Sequence, residues 1–370
     1  MVITELHPGG AEKCFVHLAC FLKNQGHEVR VWQLYPKTPS NKRQLVQKLD
    51  DHEISVTDLG ASSWTKMPGV ARRLRGELAA FQPDVVQSFL FHANVLAAFA
   101  CPSSTCFFGG ARVAQPQRWR GWLQRFATRK MQKLICVSQS VADNCQQTEK
   151  ISAEKLCVIP NGIDLDDYSA ILEDGKKKAL RQLADLKGPE RILLFVGRLT
   201  EQKGILPYLE HSSTWLRDNP DYRLVLVGDG EQRESVEKFI ASQDLPAQIK
   251  CLGWQQNVNE WMRLANCLVL PALYEGMPNV VLEAMASGLP IACFEADGIR
   301  ELLGNDDFAD QQIAPLGQQQ GLQDRASAIL DRPKLAADLA VSNLKRVEDE
   351  FQLHKQLLKY EQLYLDSLQH

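Results

Sequence analysis

The chain has no run of about 18 apolar residues, so nothing in it reads as a membrane span. Its ten cysteines are scattered, with no CxxC pair and no tight cluster. That pattern argues against a zinc site or a disulfide framework and for reduced thiols in a cytosol. The opening Met1-Val2-Ile3-Thr4-Glu5-Leu6 turns polar too early for a secretory signal. The first strand starts almost at Met1, so either it is unusually short or the true start lies upstream. A G-x-G-x-x-G fingerprint is missing: Gly228-Asp229-Gly230 comes nearest, and Arg233 stands where the third glycine belongs. A dinucleotide oxidoreductase is therefore disfavoured. Short-period repeats and low-complexity segments are absent, and residues 111 to 133 contain no acidic residue.

What is present suits an ordinary soluble protein: 45% hydrophobic and 24% charged residues over 370 positions, long enough for two domains. The net charge of −3 is unevenly shared. Residues 1–165 hold 20 of the 42 basic and 13 of the 45 acidic residues, a net of +7; the remainder carries −10. The basic half either faces something anionic or simply has a different surface.

Short β-rich runs alternate with helical stretches. Val29–Leu34, Ile54–Val56, Val85–Gln87, Thr105–Phe108 and Leu134–Val137 read as strands, with Ala11–Gln25 and Val70–Phe81 as helices among them. The pattern pauses at 165–189, where charged residues crowd in what reads as an interdomain connection, and resumes with Ile192–Val196, Leu224–Val227, Ile249–Leu252, Cys267–Leu270 and Ile291–Cys293. Such alternation means βαβ units and parallel sheets. The expected fold is α/β: two Rossmann-like doubly wound domains facing across a cleft, the default ligand site. Domain one spans 1–165 and domain two 166–349. A helix over 350–370 is the last element.

The densest chemistry lies at 273–290. Glu275 sits in a loop and Glu283 in the helix after it, read as Val280–Ala286, with Pro278 in its first turn and Gly288 and Pro290 behind it. A strand, a loop and a helix N-terminus make an anion site, and two carboxylates beside it suit hydroxyl groups. A phosphorylated sugar offers both. In Gly197-Arg198-Leu199-Thr200-Glu201-Gln202-Lys203-Gly204 a strand end is followed by two cations and a helix start. That is a diphosphate clamp or an ordinary solvated loop. Gly253 with Trp254 forms another strand-end turn, able to wall a base or merely to pack. Gly9 and Gly10 join the first strand to the first helix and let backbone approach a ligand. His92 follows the strand ending at Gln87, as an acid–base group or a structural histidine. Arg112 follows Gly109-Gly110 at another strand end and suits an anionic acceptor group. Asn161-Gly162-Ile163-Asp164 is a turn and a candidate hinge. Finally, 111–133 interleaves Arg112, Arg118, Arg120, Arg125, Arg129, Lys130 and Lys133 with Trp119, Trp122 and Phe126. Such a helix lies on an anionic membrane surface, or packs its Trp face on its own sheet with Arg outward. Nucleic acid is not the expected partner, since the motifs address small-molecule phosphates and the chain is acidic overall.

With these residues in place, the chain resembles the retaining nucleotide-sugar glycosyltransferases of the GT-B fold, a family that makes capsule, exopolysaccharide and lipopolysaccharide. The resemblance rests on Glu275…Glu283 (the family's E-x7-E), Gly197-Arg198…Lys203-Gly204, Pro160-Asn161-Gly162-Ile163-Asp164 and Gly9-Gly10-Ala11-Glu12. It implies that Arg198 and Lys203 hold the donor diphosphate, Glu275 meets the transferred sugar and Glu283 the ribose. Backbone of Gly276, Met277, Pro278, Asn279 and Val280 supports phosphate and sugar. No metal and no cofactor are implied. The donor is a nucleotide sugar, with uridine favoured, and the acceptor a glycan or lipid-linked sugar. The final helix is expected to cross back to domain one. One departure concerns a histidine that many members carry on a later strand of domain one; here the region reads Phe107-Phe108-Gly109-Gly110-Ala111-Arg112, and His92 either takes its role or the role is absent. A cytoplasmic place, peripheral to the inner membrane face, follows as an expectation. The competing readings are a sugar-nucleotide epimerase on the same fold and a non-catalytic sugar-nucleotide-binding scaffold.

Overall fold

Seven strands open the chain in a computed structural model that describes residues 1–36, 43–61, 66–113, 117–243, 245 and 248–369. They are β1 (Val2–Ile3), β2 (Arg30–Gln33), β3 (Ser55–Asp58), β4 (Val85–Phe89), β5 (Cys106–Ala111), β6 (Lys133–Cys136) and β7 (Leu156–Val158). Among the described residues they pair in parallel throughout, in the order β3-β2-β1-β4-β5-β6-β7. β1 is only two residues long, yet it is central: Val2 pairs with Trp32 on one side and Ser88 on the other. Helices Gly10–Asn24, Met67–Phe81 and Phe91–Ala100 provide crossovers. Phe15, Phe89, Phe108 and Ile135 centre the core.

The second sheet holds β8 (Arg191–Val196), β9 (Tyr222–Val227), β10 (Ile249–Gly253), β11 (Cys267–Leu270), β12 (Ile291–Phe294) and β13 (Ile313–Ala314). It is also parallel, ordered β10-β9-β8-β11-β12-β13. This is the doubly wound order whose direction reverses once, between β8 and β11. Ligands bind at the carboxyl ends of the strands flanking such a reversal. Phe195, Tyr208, Leu224, Val269 and Phe294 fill its core.

The compact units are Met1–Gly162 together with Leu353–His370, and Ile163–Gln352. The pause expected at 165–189 is not a free connection. It folds into helices Asp166–Ser169 and Asp174–Leu183 of the second unit. The first has Asp166 and Asp167 in its first turn and the second starts at Asp174, so the acidic residues that resemble a linker favour helix N-termini. The chain changes unit at Gly162/Ile163 and again at Gln352/Leu353, and the two crossings run side by side, with Ile163 N–H donating to the Phe351 carbonyl at 2.8 Å. The last helix, expected over 350–370, runs Leu353–Leu368 and is preceded by helix Pro333–Glu350. The last helix packs in the first unit: Tyr364 Oη donates to Gln87 at 2.7 Å, and Glu361 meets His27 at 2.9 Å. No described helix is long and apolar enough to cross a membrane.

Candidate active site

The reversal point of the second sheet assembles its site from loops far apart in sequence. After β8 the chain runs through Gly197 and Arg198, makes a short turn at Glu201–Lys203, and enters helix Ile205–Asp218 through Gly204. After β11 it passes Pro271 to Glu275 and enters helix Asn279–Ala286. The two loops are joined at several points. Leu273 N–H donates to the Gln202 carbonyl at 2.8 Å, and Gln202 Nε2 donates to the Tyr274 carbonyl at 2.9 Å. Gly204 has φ +62° and abuts the Pro271 carbonyl, so a side chain there would be both strained and obstructed. At the centre, Lys203 Nζ bonds Glu275 Oε1, with side chains only 14% and 7% exposed.

This pairing links two residues to which the sequence assigned different tasks. Lys203 and Glu275 form one buried ion pair. Arg198, by contrast, is exposed, and among the described residues no ion pair engages its guanidinium. A buried pair costs desolvation and is fixed only where its geometry is good. It therefore holds a directed ammonium and carboxylate in the loop, while Arg198, after β8, is an exposed charge.

Helix Asn279–Ala286 starts at Asn279, one residue before the expected Val280. Pro278 takes the N-cap place with extended ψ of 117°, not the first turn, and makes no side-chain cap bond itself. Gly276, Met277 and Pro278 are buried, while Asn279 and Val280 are half-buried. Gly298, which follows β12 and was not anticipated, has φ +76° and lies against the Gly276 carbonyl. Its only sequence signal is a glycine after a strand end.

Glu283 is buried on this helix. Tyr168, also unanticipated, meets it from helix Asp166–Ser169. Burial first, and then the Glu283 carboxylate that its hydroxyl bonds, push the Tyr168 phenol well above its ordinary pKa. Tyr168 therefore stays a hydrogen-bond donor at any physiological pH.

The neighbouring strand ends extend the site. Gly228 N–H donates to the Gly253 carbonyl at 2.8 Å, and Gly228, at φ +141°, packs on the Gly197 carbonyl. Gly253 itself has φ +69°, and Trp254 beside it is half-buried. Arg233, which breaks the dinucleotide fingerprint, is held by Asp229 at 3.5 Å and Glu237 at 2.9 Å.

In the first unit, topology puts Gly9-Gly10 and His92 at the corresponding reversal, after β1 and β4. Gly9 is extended, with φ −153°, and Gly10 opens the helix, so neither glycine is demanded by backbone sign. The Glu12 carboxylate folds over Gly9. His92 lies among aromatic rings, 5.3 Å from Phe91 and 6.3 Å from Tyr35 between centroids. Burial, then the Arg120 charge, lower its pKa, so the imidazole is neutral near pH 7. Arg112 is engaged within the unit: it bonds Asn161 Oδ1, lies 5.0 Å over the Phe89 ring and reaches Tyr360. With Cys14, Gly162, Gln356 and Leu357, these residues line a small pocket beneath helix Leu353–Leu368. Gly162 is required there, because a Cβ would stand 2.6 Å from Leu353 Cα.

Comparison with known proteins bears on this arrangement. Residues 8–167 match the family model described as Glycosyltransferase Family 4, and residues 176–346 match Glycosyl transferases group 1. The UDP-Gal:alpha-D-GlcNAc-diphosphoundecaprenol alpha-1,3-galactosyltransferase of Escherichia coli is 31% identical over 188 residues, covering 50% of this chain and 48% of that protein. An N-acetylgalactosaminyltransferase of Campylobacter jejuni, named for a diphospho-undecaprenol substrate, is 27% identical over 46% of this chain and 44% of its own. The chain thus spans about half the length of the curated relatives it matches. Among solved structures, Anabaena HepE in complex with UDP-glucose superposes with TM-score 0.82 at 19% identity, covering 100% of this chain and 99% of that one. A glycosyltransferase from Rickettsia africae gives TM-score 0.82 at 18% identity, over 99% and 97%. With one family model on each unit and this fold throughout, the chain belongs to the GT-B glycosyltransferases.

Proposed function

We propose that the protein transfers a hexosyl or N-acetylhexosaminyl group from a UDP-sugar to a lipid-linked or surface-polysaccharide acceptor, with retention of anomeric configuration and without a metal ion or other cofactor. It would work in the cytoplasm, peripheral to the inner membrane face. The observation that carries this reading is the Lys203–Glu275 pair at the reversal point of the second sheet, with exposed Arg198 on the loop after β8 and the N-terminus of helix Asn279–Ala286 on the loop after β11. The diphospho-undecaprenol substrates for which the Escherichia coli and Campylobacter jejuni relatives are named support the lipid-linked acceptor. The UDP-glucose complex of HepE supports the uridine donor.

The roles follow the chemistry of each group. Arg198 and Lys203 oppose the negative charge that grows on the leaving diphosphate, the work that preorganised cations do best. Backbone of Gly276 to Val280 adds the positive end of a helix. Glu275, fixed by Lys203, accepts from hydroxyls of the transferred sugar; Glu283, fixed by Tyr168, accepts from the ribose. Gly253 and Trp254 border the base. In the first unit the neutral His92 is read as the group for a sugar hydroxyl, and Arg112 serves an anionic acceptor group only once it gives up Asn161. The bond from the anomeric carbon to the diphosphate oxygen breaks. The acceptor hydroxyl adds on the same face, and its proton goes to the departing diphosphate.

The test is incubation with several UDP-sugars and candidate acceptors in excess EDTA, following UDP release and reading the new linkage by proton NMR. Retained configuration at undiminished rate is expected. An inverted anomer, or activity lost in EDTA and restored by magnesium, would refute the mechanism. Binding of UDP-sugar without any turnover would favour the scaffold reading.

A further inference from the structure

The basic, acid-free stretch of the first unit had two readings, and the fold decides between them. Helix Arg118–Thr128 was expected either to bury its Trp face or to present it, and the structure presents it. Trp119, Trp122 and Phe126 are 51%, 68% and 39% exposed, and they follow the helical spacing of one face. Residues 114–116 and the Arg118 side chain lie outside the described residues. The buried face instead carries Gln124, Ala127 and Thr128, the first only 3% exposed.

This orientation is held in place by hydrogen bonds. Asn94 Nδ2 donates to Gln124 Oε1 at 3.2 Å and to the Gly110 carbonyl at 3.0 Å. Asn94 Oδ1 accepts from Ser88 Oγ at 2.7 Å and from Gly110 N–H at 3.2 Å. A buried amide network of this kind specifies orientation, since rotating the helix would strand its members. Gly121, on the inner face, lets the helix sit against Glu149. The outward aromatics are thus a property of the fold.

The face is extended by exposed Phe99 of helix Phe91–Ala100, whose ring centroid is 5.9 Å from that of Phe126. Arg125, Arg129 and Lys130 are exposed around it. From Val85 through Ala142 the sequence has no acidic residue, so no carboxylate of this stretch offsets them. Indole and phenyl rings level with arginine and lysine match one chemistry well: rings at the boundary of the acyl chains, cations among phosphate headgroups.

We propose that the Trp119/Trp122/Phe126/Phe99 face, ringed by Arg125, Arg129 and Lys130, docks the protein on an anionic lipid bilayer. This identifies the surface behind the peripheral location proposed above. It is tested without any transfer assay, so its failure and that of the transferase reading are distinguishable.

The full chain is sedimented with vesicles of phosphatidylcholine alone or with a third phosphatidylglycerol. Binding is expected only to the anionic vesicles and should fade as salt rises, because exposed charges are screened within about 10 Å at 0.1 M. Each surface cation contributes about five-fold in partitioning. Arg125→Glu with Arg129→Glu should therefore weaken binding at least about 25-fold. Trp122→Ser with Phe126→Ser should abolish the quenching of tryptophan emission by shallow brominated lipid, while Trp122→Tyr retains binding. All these positions are exposed, so circular dichroism should be unchanged. Lys177→Glu with Lys178→Glu, exposed in the other unit, should bind as wild type. Equal binding to neutral vesicles, no binding to anionic ones, or full binding by the serine pair overturns the proposal. Preferential binding of RNA would overturn it in favour of nucleic acid. A dimer in solution that the serine pair converts to monomer would overturn it in favour of a self-interface.

Discussion

Replacing Lys203 by methionine separates the structural from the ligand-binding share of the pair at the candidate site. With both side chains more than four-fifths buried, the change leaves the Glu275 carboxylate in place and uncompensated. Stranding one partner of such a pair costs about 3–5 kcal/mol. In a domain of this size each kcal/mol moves Tm by about 2–4 °C, so a fall of roughly 6–20 °C is expected. Glu275→Gln should cost less, because the lysine stem can carry its ammonium toward water while the methylenes stay packed. The double variant K203M/E275Q leaves no buried charge and should recover at least half of the Tm lost by K203M. Calorimetry of the four proteins closes the cycle, and transfer should stay low in all three variants despite the recovery. Single variants within about 2 °C of wild type, with additive effects in the double, would show that the pair does not exist in solution.

Three further outcomes are expected. Glu149 is buried, and that burial raises its carboxyl pKa to about 7 from the ordinary 4.5, so its protonated form favours the fold below pH 4.5 and this contribution is lost between pH 4.5 and 7. The difference is at most about 3 kcal/mol, so Tm of the wild type should fall from pH 5 to pH 8 more steeply than that of Glu149→Gln, and parallel curves would refute the assignment. Tyr168→Phe removes a neutral donor from Glu283 and should weaken UDP-sugar binding by roughly 2- to 12-fold in titration calorimetry; unchanged affinity would leave Tyr168 a packing residue. Gly298→Ala, at φ +76° and against the Gly276 carbonyl, should cost at least about 1 kcal/mol in urea unfolding, whereas Gly175→Ala, with open space around it, should not.

The strands were legible because parallel sheets bury both faces: runs such as Ile192–Val196 and Cys267–Leu270 have little alternative. β13 was missed because Ile313–Ala314 is too short to carry a pattern, and it is identified only by pairing with β12. The loop 273–290 stood out because glycine, proline and two carboxylates crowd a helix start. Its internal pairing was illegible, since Lys203 and Glu275 are 72 residues apart and only the sheet order brings them together. Tyr168 was hidden for the opposite reason. It lies among aspartates that read as a linker, and a short helix gives no periodicity. The outward Trp face could not be settled from sequence, because the decision rests with Asn94, 30 residues away from Gln124.

Because helix Leu353–Leu368 belongs to the first unit, that unit is discontinuous along the chain. A ribosome delivers its seven strands first, yet Gln87 waits for Tyr364 and the pocket wall waits for Leu357 and Tyr360 until the intervening unit has been made. Nascent chains halted before Leu353 should carry a finished second unit and a first unit still open to chaperones and proteases. Order of synthesis and order of completion are thus reversed in this protein.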